Sequence, residues 1–249
     1  MPESSPNSSS DRPDGVFATT LWTVVVQAGH SHSTQSRPAL ERLCQTYWYP
    51  IYAHVRRRGF SPHDAQDLTQ GFFARLLAQS PFQGLSPEKG RFRSFLLASL
   101  GNYLADERDR QDAAKRGGGQ AVLSLDETVA EGRYSLEPAT STTPEKDFDR
   151  RWAAAVLDRA LEVLAQEQAV AGKQPLFEHL RTFLTDATDR CDYSVAAAGL
   201  NIPANTVAVT VRRLRQRYRE LVRGEIAETL VHPADVDIEM NHLLAAMRG

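Results

Sequence analysis

The sequence predicts an all-α protein made of two small helical domains joined by a flexible linker. Three observations predict it. Apolar residues recur at steps of three and four along most of the chain, the spacing of one buried helical face. No convincing β-hairpin and no internal repeat is present. An acidic, Thr/Ser/Glu-rich stretch of low hydrophobicity, 117–150, separates two such helical blocks. The expected division is a disordered extension over 1–18, a first domain over 19–116, the linker over 117–150, a second domain over 151–224 and a tail over 225–249.

Each element follows from local chemistry. Residues 1–15 are rich in Ser and Pro and hold almost nothing apolar, which predicts disorder. The run LWTVVVQA near 21–28 reads equally as a strand or as one buried helix face. Over 39–58, Leu40, Leu43, Tyr47, Ile51 and Val55 form a helical stripe that Gly59 closes. Pro50 inside it predicts a kink or a split into two helices. Ser61-Pro62 opens the next helix as N-cap and first-turn proline, with Ala65, Leu68, Phe72, Leu76 inward and Phe73, Leu77 alongside. A Pro/Gly loop over 80–90 precedes a third helix over about 91–116, which Gly117-Gly118-Gly119 ends. Trp152, Val156, Leu161 and Leu164 mark a fourth helix, and 176–184 a fifth.

Composition narrows the function. Hydrophobic and charged shares of 41% and 24% are ordinary for a globular chain. No apolar run approaches the roughly 18 residues of a membrane span, and the N-terminus lacks the basic and apolar regions of a secretory signal. A reducing cytoplasm is the simplest expectation, since Cys44 and Cys191 alone build neither a disulfide framework nor a zinc site. Cys44 reads as a core thiol and Cys191 as an unpaired loop thiol. The net charge of −2 argues against a non-specific polyanion binder, yet its distribution is uneven. Residues 206–223 carry six arginines against Glu220, a net of +5; 117–149 carries −5 and 224–249 carries −4.

The stretch 193–221 has helix-turn-helix character. Ser194 reads as the cap of a short helix of small residues, Asn201-Ile202-Pro203 as the turn, and Asn205 as the cap of a second helix. Val207, Val211, Leu214, Tyr218 and Leu221 make one apolar stripe on it. Such a second helix lies in the major groove and touches base edges with its first turns. The residues opposite the stripe are Asn205, Thr206, Val209, Thr210, Arg212 and Arg213. Asn and Arg pair bidentately with adenine and guanine, and Val or Thr methyls meet the thymine methyl. Arg215, Arg217 and Arg219 lie further along and suit phosphates. A merely solvated amphipathic helix is the bland reading of the same residues.

The segment from Tyr193-Ser194-Val195-Ala196-Ala197 through Asn205-Thr206-Val207 resembles region 4 of bacterial RNA polymerase sigma factors, most closely the extracytoplasmic-function type that keeps only regions 2 and 4. Asp64-Ala65-Gln66-Asp67-Leu68-Thr69-Gln70-Gly71-Phe72-Phe73 is similar to the region 2 signature at the polymerase contact. Phe92-Arg93-Ser94-Phe95-Leu96, with Asn102 and Asp106, resembles the helix that melts and reads the minus-ten element. The likeness covers about 39–116 and 151–224. Val195 in place of a usual Glu, Phe95 in place of Trp, Asp109 in place of Arg and Ala165 in place of Pro depart from the pattern. The resemblance implies core polymerase as partner, through Asp64, Asp67, Gln70 and Phe73. It implies promoter DNA as a second partner, read at minus ten by Lys89, Arg91, Phe92, Arg93, Asn102, Asp106 and Arg110, and at minus thirty-five by the second helix of 193–221. Tyr103 and Arg108 supply further aromatic and basic groups there, Phe92 serves equally as stacking surface or core, and Phe95 reads as core. An anti-sigma factor or another regulator is the further partner the family allows; no cofactor, metal or catalytic residue is implied.

The tail spaces Leu230, Val236, Met240, Leu243, Leu244 and Met247 for an accessory helix, which either folds back on the basic helix or binds a regulator. Two rival functions remain. A helix-turn-helix regulator acting without polymerase leaves the 64–73 signature idle. An HD-type metal phosphohydrolase starts from His63-Asp64, but the other histidines lack the required spacing. Gly117-Gly118-Gly119 lacks the following Lys-Ser/Thr of a phosphate loop.

Overall fold

A computed structural model describes residues 36–79, 92–114, 127–136, 143–184, 193–230 and 232–248. Every regular element of any length among them is helical, so the all-α class holds. The order is α1 (Ser36–Arg57), α2 (Pro62–Gln79), α3 (Phe92–Ala114), α4 (Glu127–Leu136), α5 (Pro144–Val170), α6 (Gln174–Leu180) with a 3₁₀ turn (Arg181–Leu184), α7 (Ser194–Leu200), α8 (Ala204–Ala227) and α9 (Val236–Arg248). None of these helices alone is long and apolar enough to cross a membrane. The 1–18 extension, the 21–28 run, the 80–90 loop, the triple glycine and Cys191 lie outside the described residues.

Local signals place the helix ends. Gly59 takes a φ of +91° after α1, a conformation that costs a side chain dearly. Ser61 caps α2: its Oγ accepts from the Asp64 amide at 3.1 Å and its hydroxyl donates to the Asp64 carboxylate at 2.7 Å. Pro50 does not split α1, which runs unbroken through it. Pro50 is itself buried, and Tyr47, Ile51 and Tyr52 around it are all 1% exposed or less, so core packing offsets the missing amide bond.

The expected flexible linker is the largest difference. Of 117–150 the described part is α4 and the first turns of α5, both helical and both docked. Thr143 caps α5 by accepting from the Lys146 amide at 3.3 Å, with Pro144 in the first turn and Glu145 and Asp147 beside the helix's positive end. Within α4, Glu131 accepts from the Tyr52 hydroxyl and, bidentately, from Arg56 at 3.0 and 2.9 Å. Arg133 covers the Tyr49 ring at 4.4 Å and pairs with Asp158. Two of the acids that suggested a solvated linker, Glu131 and Asp147, therefore meet Arg56 and Arg57 of α1, pairings that no local pattern reveals.

Two apolar clusters form the core. The first gathers Tyr47, Ile51, Phe72, Phe92, Leu96, Phe148, Trp152, Val222, Ile226, Leu230 and Leu243, drawing on helices from α1 to α9. The second gathers Leu164, Phe177, Leu180, Ala197, Val207, Val211 and Leu214. Helices α5 and α8 are continuous through both, so the expected boundary between 19–116 and 151–224 does not divide the packing.

Arg93 ties the first cluster together. It is 7% exposed, with Nη1 2.7 Å from Asp149 of α5, Nε 3.0 Å from Glu239 of α9 and its guanidinium 4.5 Å over the Trp152 ring. Arg93→Ala removes the cation paired with the buried Glu239 and should lower stability by about 3–5 kcal/mol in urea unfolding; a loss under about 0.5 kcal/mol would mean that the side chain behaves as a surface residue. A second expectation concerns α4. The Arg56 bonds hold the Glu131 carboxyl below its ordinary value of 4.5. Its contribution is therefore present above the unfolded value and lost as pH falls through the folded one. Hydrogen exchange in α4 should accelerate in that acid range, and Glu131→Gln should remove the pH dependence.

Candidate nucleic-acid interface

The helix-turn-helix forms as the sequence predicts, with different caps. Helices α7 and α8 are bent 101° from one another, within the range of roughly 90–120° of such units. Asn201 supplies the corner at φ 53°, ψ 42°, the left-handed region. Its amide reaches the Ala198 carbonyl at 3.2 Å, and the Ile202 amide reaches that of Ala197 at 3.1 Å. Ala197 is 8% exposed, small enough for the two helices to approach.

Neither Ser194 nor Asn205 occupies the cap position expected of it. Tyr193 and Pro203 occupy the cap positions, and neither makes a side-chain capping bond. Backbone carbonyls do the capping: that of Pro203 accepts from Thr206 at 2.9 Å and Val207 at 3.2 Å, and that of Tyr193 accepts from Ala197 at 2.8 Å. Asn205 is thereby displaced from a cap into the exposed first turn.

Val207 and Val211 are fully buried and Leu214 nearly so, which commits one face of α8 to the core. Asn205, Thr206, Val209, Arg212 and Arg213 stand exposed on the rest, as the sequence reading expects. Thr210 is half-buried, and its hydroxyl donates to the Thr206 carbonyl at 2.8 Å.

The expected phosphate set divides. Arg215 donates through Nε and Nη2 to the Phe183 carbonyl at 3.0 and 2.8 Å, and Arg217 grips Glu167 at 3.0 and 2.7 Å and Glu220 at 3.1 Å. Both guanidinium forks therefore meet acceptors of the protein itself. Arg219 is exposed, and like Arg212 and Arg213 it makes no ion pair among the described residues. Glu220 was legible as a neighbour three residues from Arg217; Glu167, fifty residues away, was not.

The first unit matches its expectations unevenly. Asp64 and Asp67 are exposed and Gln70 is half-buried on α2, with His63 3.3 Å from Asp67. Phe73 is 6% exposed and packs with Phe72 in the core. Phe92 is fully buried, edge-on to Tyr47 at 5.0 Å, and belongs to the core, as does Arg93. Phe95 packs half-buried against Phe92. Asn102 is exposed on α3, Asp106 pairs with Arg75 at 2.6 Å and Arg110 with Glu107 at 2.5 Å. Tyr103 is 8% exposed, and burial followed by the nearby Glu107 charge pushes its hydroxyl up to about 12. Lys89 and Arg91 lie outside the described residues. Cys44 is buried, and desolvation raises its thiol far above the ordinary value.

Among the described residues no three His, Cys, Asp or Glu side chains gather as metal ligands would. No family model, no curated protein and no solved structure matches the chain.

What the arrangement offers chemically is a rigid helix with a polar, cationic end projecting beyond a tight corner. Asn201→Val places a β-branched residue in the left-handed region and should cost about 1–2 kcal/mol. Thermal unfolding should show that loss, with Asn201→Gly close to the parent.

Proposed function

We propose that the protein is a sigma-type initiation factor that binds core RNA polymerase and promoter DNA. In this reading α1 to α3 act as a region 2 unit and the helices over 151–224, α5 to α8, as a region 4 unit. The observation that carries it is the exposed start of α8, where Asn205, Thr206, Val209, Arg212 and Arg213 surround a helix whose other face is buried. A helix presented this way enters the major groove with its N-terminal turns, where Arg suits guanine and Asn suits adenine. Arg219 adds a phosphate contact further along. On the first unit, Asp64, Asp67 and Gln70 offer a polar surface to polymerase, and Asn102, Arg108 and Arg110 line the solvent side of α3 toward the minus-ten element. A reducing cytoplasm is the compartment that fits this role.

A helix-turn-helix regulator acting without polymerase is the second reading, favoured by the burial of Phe73, Phe92 and Arg93. Those residues leave both proposed first-unit surfaces smaller than the resemblance implies.

Run-off transcription with core polymerase separates the two. The sigma reading expects promoter-dependent transcripts only when the protein is added, and expects folded Asp67→Arg with Gln70→Ala to pull down less core enzyme. Duplex binding with no transcript and no polymerase capture selects the regulator. In either case Arg213→Ala should cost about 1–3 kcal/mol at the preferred duplex and relax one or two base positions. Arg219→Ala should weaken all sequences alike and reduce the salt slope by about 0.9.

A further inference from the structure

Six arginines follow one another along α8, yet three carboxylates meet the later ones. Glu167 comes from α5, the helix packed beneath α8, and takes Nε and Nη2 of Arg217; Glu220 takes its Nη1. Asp237 comes from α9 and takes Nη1 of Arg223. The pairs stand in water, with side-chain exposures of 46% and 36% for Arg217 and Glu167 and 43% and 76% for Arg223 and Asp237. Exposed ion pairs hold a fold together weakly, because solvent screens them and two long side chains must be ordered. Their stronger effect is to cancel charge where it stands. Arg212 and Arg213, in the turns that reach base edges, are left without such partners among the described residues.

We propose that Glu167, Glu220 and Asp237 compete with phosphate for Arg217 and Arg223, and so hold down the sequence-independent part of DNA binding by α8. The inference rests on α8 reading duplex DNA. Sequence-independent affinity grows with the number of phosphates that basic side chains neutralise, each releasing counterions. Arg217 and Arg223 lie past the base-reading turns, so their contacts to a duplex would be of that kind. A phosphate must displace a carboxylate already in place to use either of them. The pairing is mutual: it holds the Glu167 and Asp237 carboxyls below their ordinary range and raises both guanidiniums. The two acids from outside the helix stand on α5 and α9, the elements packed against it, so this restraint is part of the folded protein rather than of α8 alone.

The test uses the full chain and a short mixed-sequence duplex, titrated by fluorescence anisotropy at several salt concentrations. Glu167→Gln with Glu220→Gln frees Arg217, and Asp237→Asn frees Arg223; circular dichroism confirms that each variant is folded. Each freed arginine should tighten binding roughly eightfold at about 0.1 M salt and steepen the log–log salt slope by about 0.9. Adding Arg217→Ala to the Glu167→Gln, Glu220→Gln variant should return both values to those of the parent. A gain that survives Arg217→Ala is bulk charge and overturns the proposal. Variants that bind no tighter, or more weakly with the slope unchanged, overturn it as well, since the pairs then only orient the helix. Parent protein that fails to bind any duplex sinks the DNA reading itself, whereas parent binding with unaltered variants sinks only the role of the carboxylates.

Discussion

A single buried guanidinium governs the architecture. Arg93 cannot lose its charge and cannot stay buried without acceptors. Its neighbours are supplied by helices far apart in sequence: Asp149 and Trp152 from α5 and Glu239 from α9. Once Arg93 is turned inward, α3, α5 and α9 must meet, and the apolar groups around them close into one cluster. The backbone follows the same junction, since the Phe92 amide donates to the Thr229 carbonyl at 3.2 Å. The residue that the family resemblance gives to promoter DNA thus has a structural task in this fold, and Phe92 beside it is equally internal.

The second constraint is the continuity of α5 and α8. Each begins in one apolar cluster and ends in the other, so neither cluster can shift without dragging a helix of the other. Tyr218 marks the crossing, with its hydroxyl donating to the Leu157 carbonyl at 3.0 Å and its ring packed between both clusters. The helix-turn-helix therefore stands on the same frame as the first three helices. The tail completes that frame: Val236 and Leu243 are buried, while Ile238, Leu244 and Met247 remain exposed. It folds back on the far end of α8 and leaves the N-terminal turns of that helix open.

The arginines of α8 show how one residue type takes several roles on one helix. Arg215 secures the 3₁₀ turn through the Phe183 carbonyl. Arg217 and Arg223 face carboxylates of neighbouring helices. Arg212, Arg213 and Arg219 face solvent. The basic run of the sequence therefore overstates the positive surface that a nucleic acid would meet, and concentrates what is left toward the corner of the motif.

The sequence by itself determined most of the helices, several of their ends and the corner of the helix-turn-helix. These rest on contacts within a few residues: apolar spacing of three and four, the Ser61 cap, Gly59 and the left-handed Asn201. It also determined which face of α8 is exposed, because the buried stripe of Val207, Val211 and Leu214 leaves only one other. Tertiary structure decided the rest. Whether 117–150 was a linker depended on Glu131 finding Tyr52 and Arg56, some 75 to 79 residues away. Which partners Arg93, Arg215 and Arg217 meet within the protein, beside the DNA that the sequence suggested, depended on acceptors contributed by other helices. A charged side chain carries the same pattern signal in both roles, and only the groups brought around it by folding set its partner.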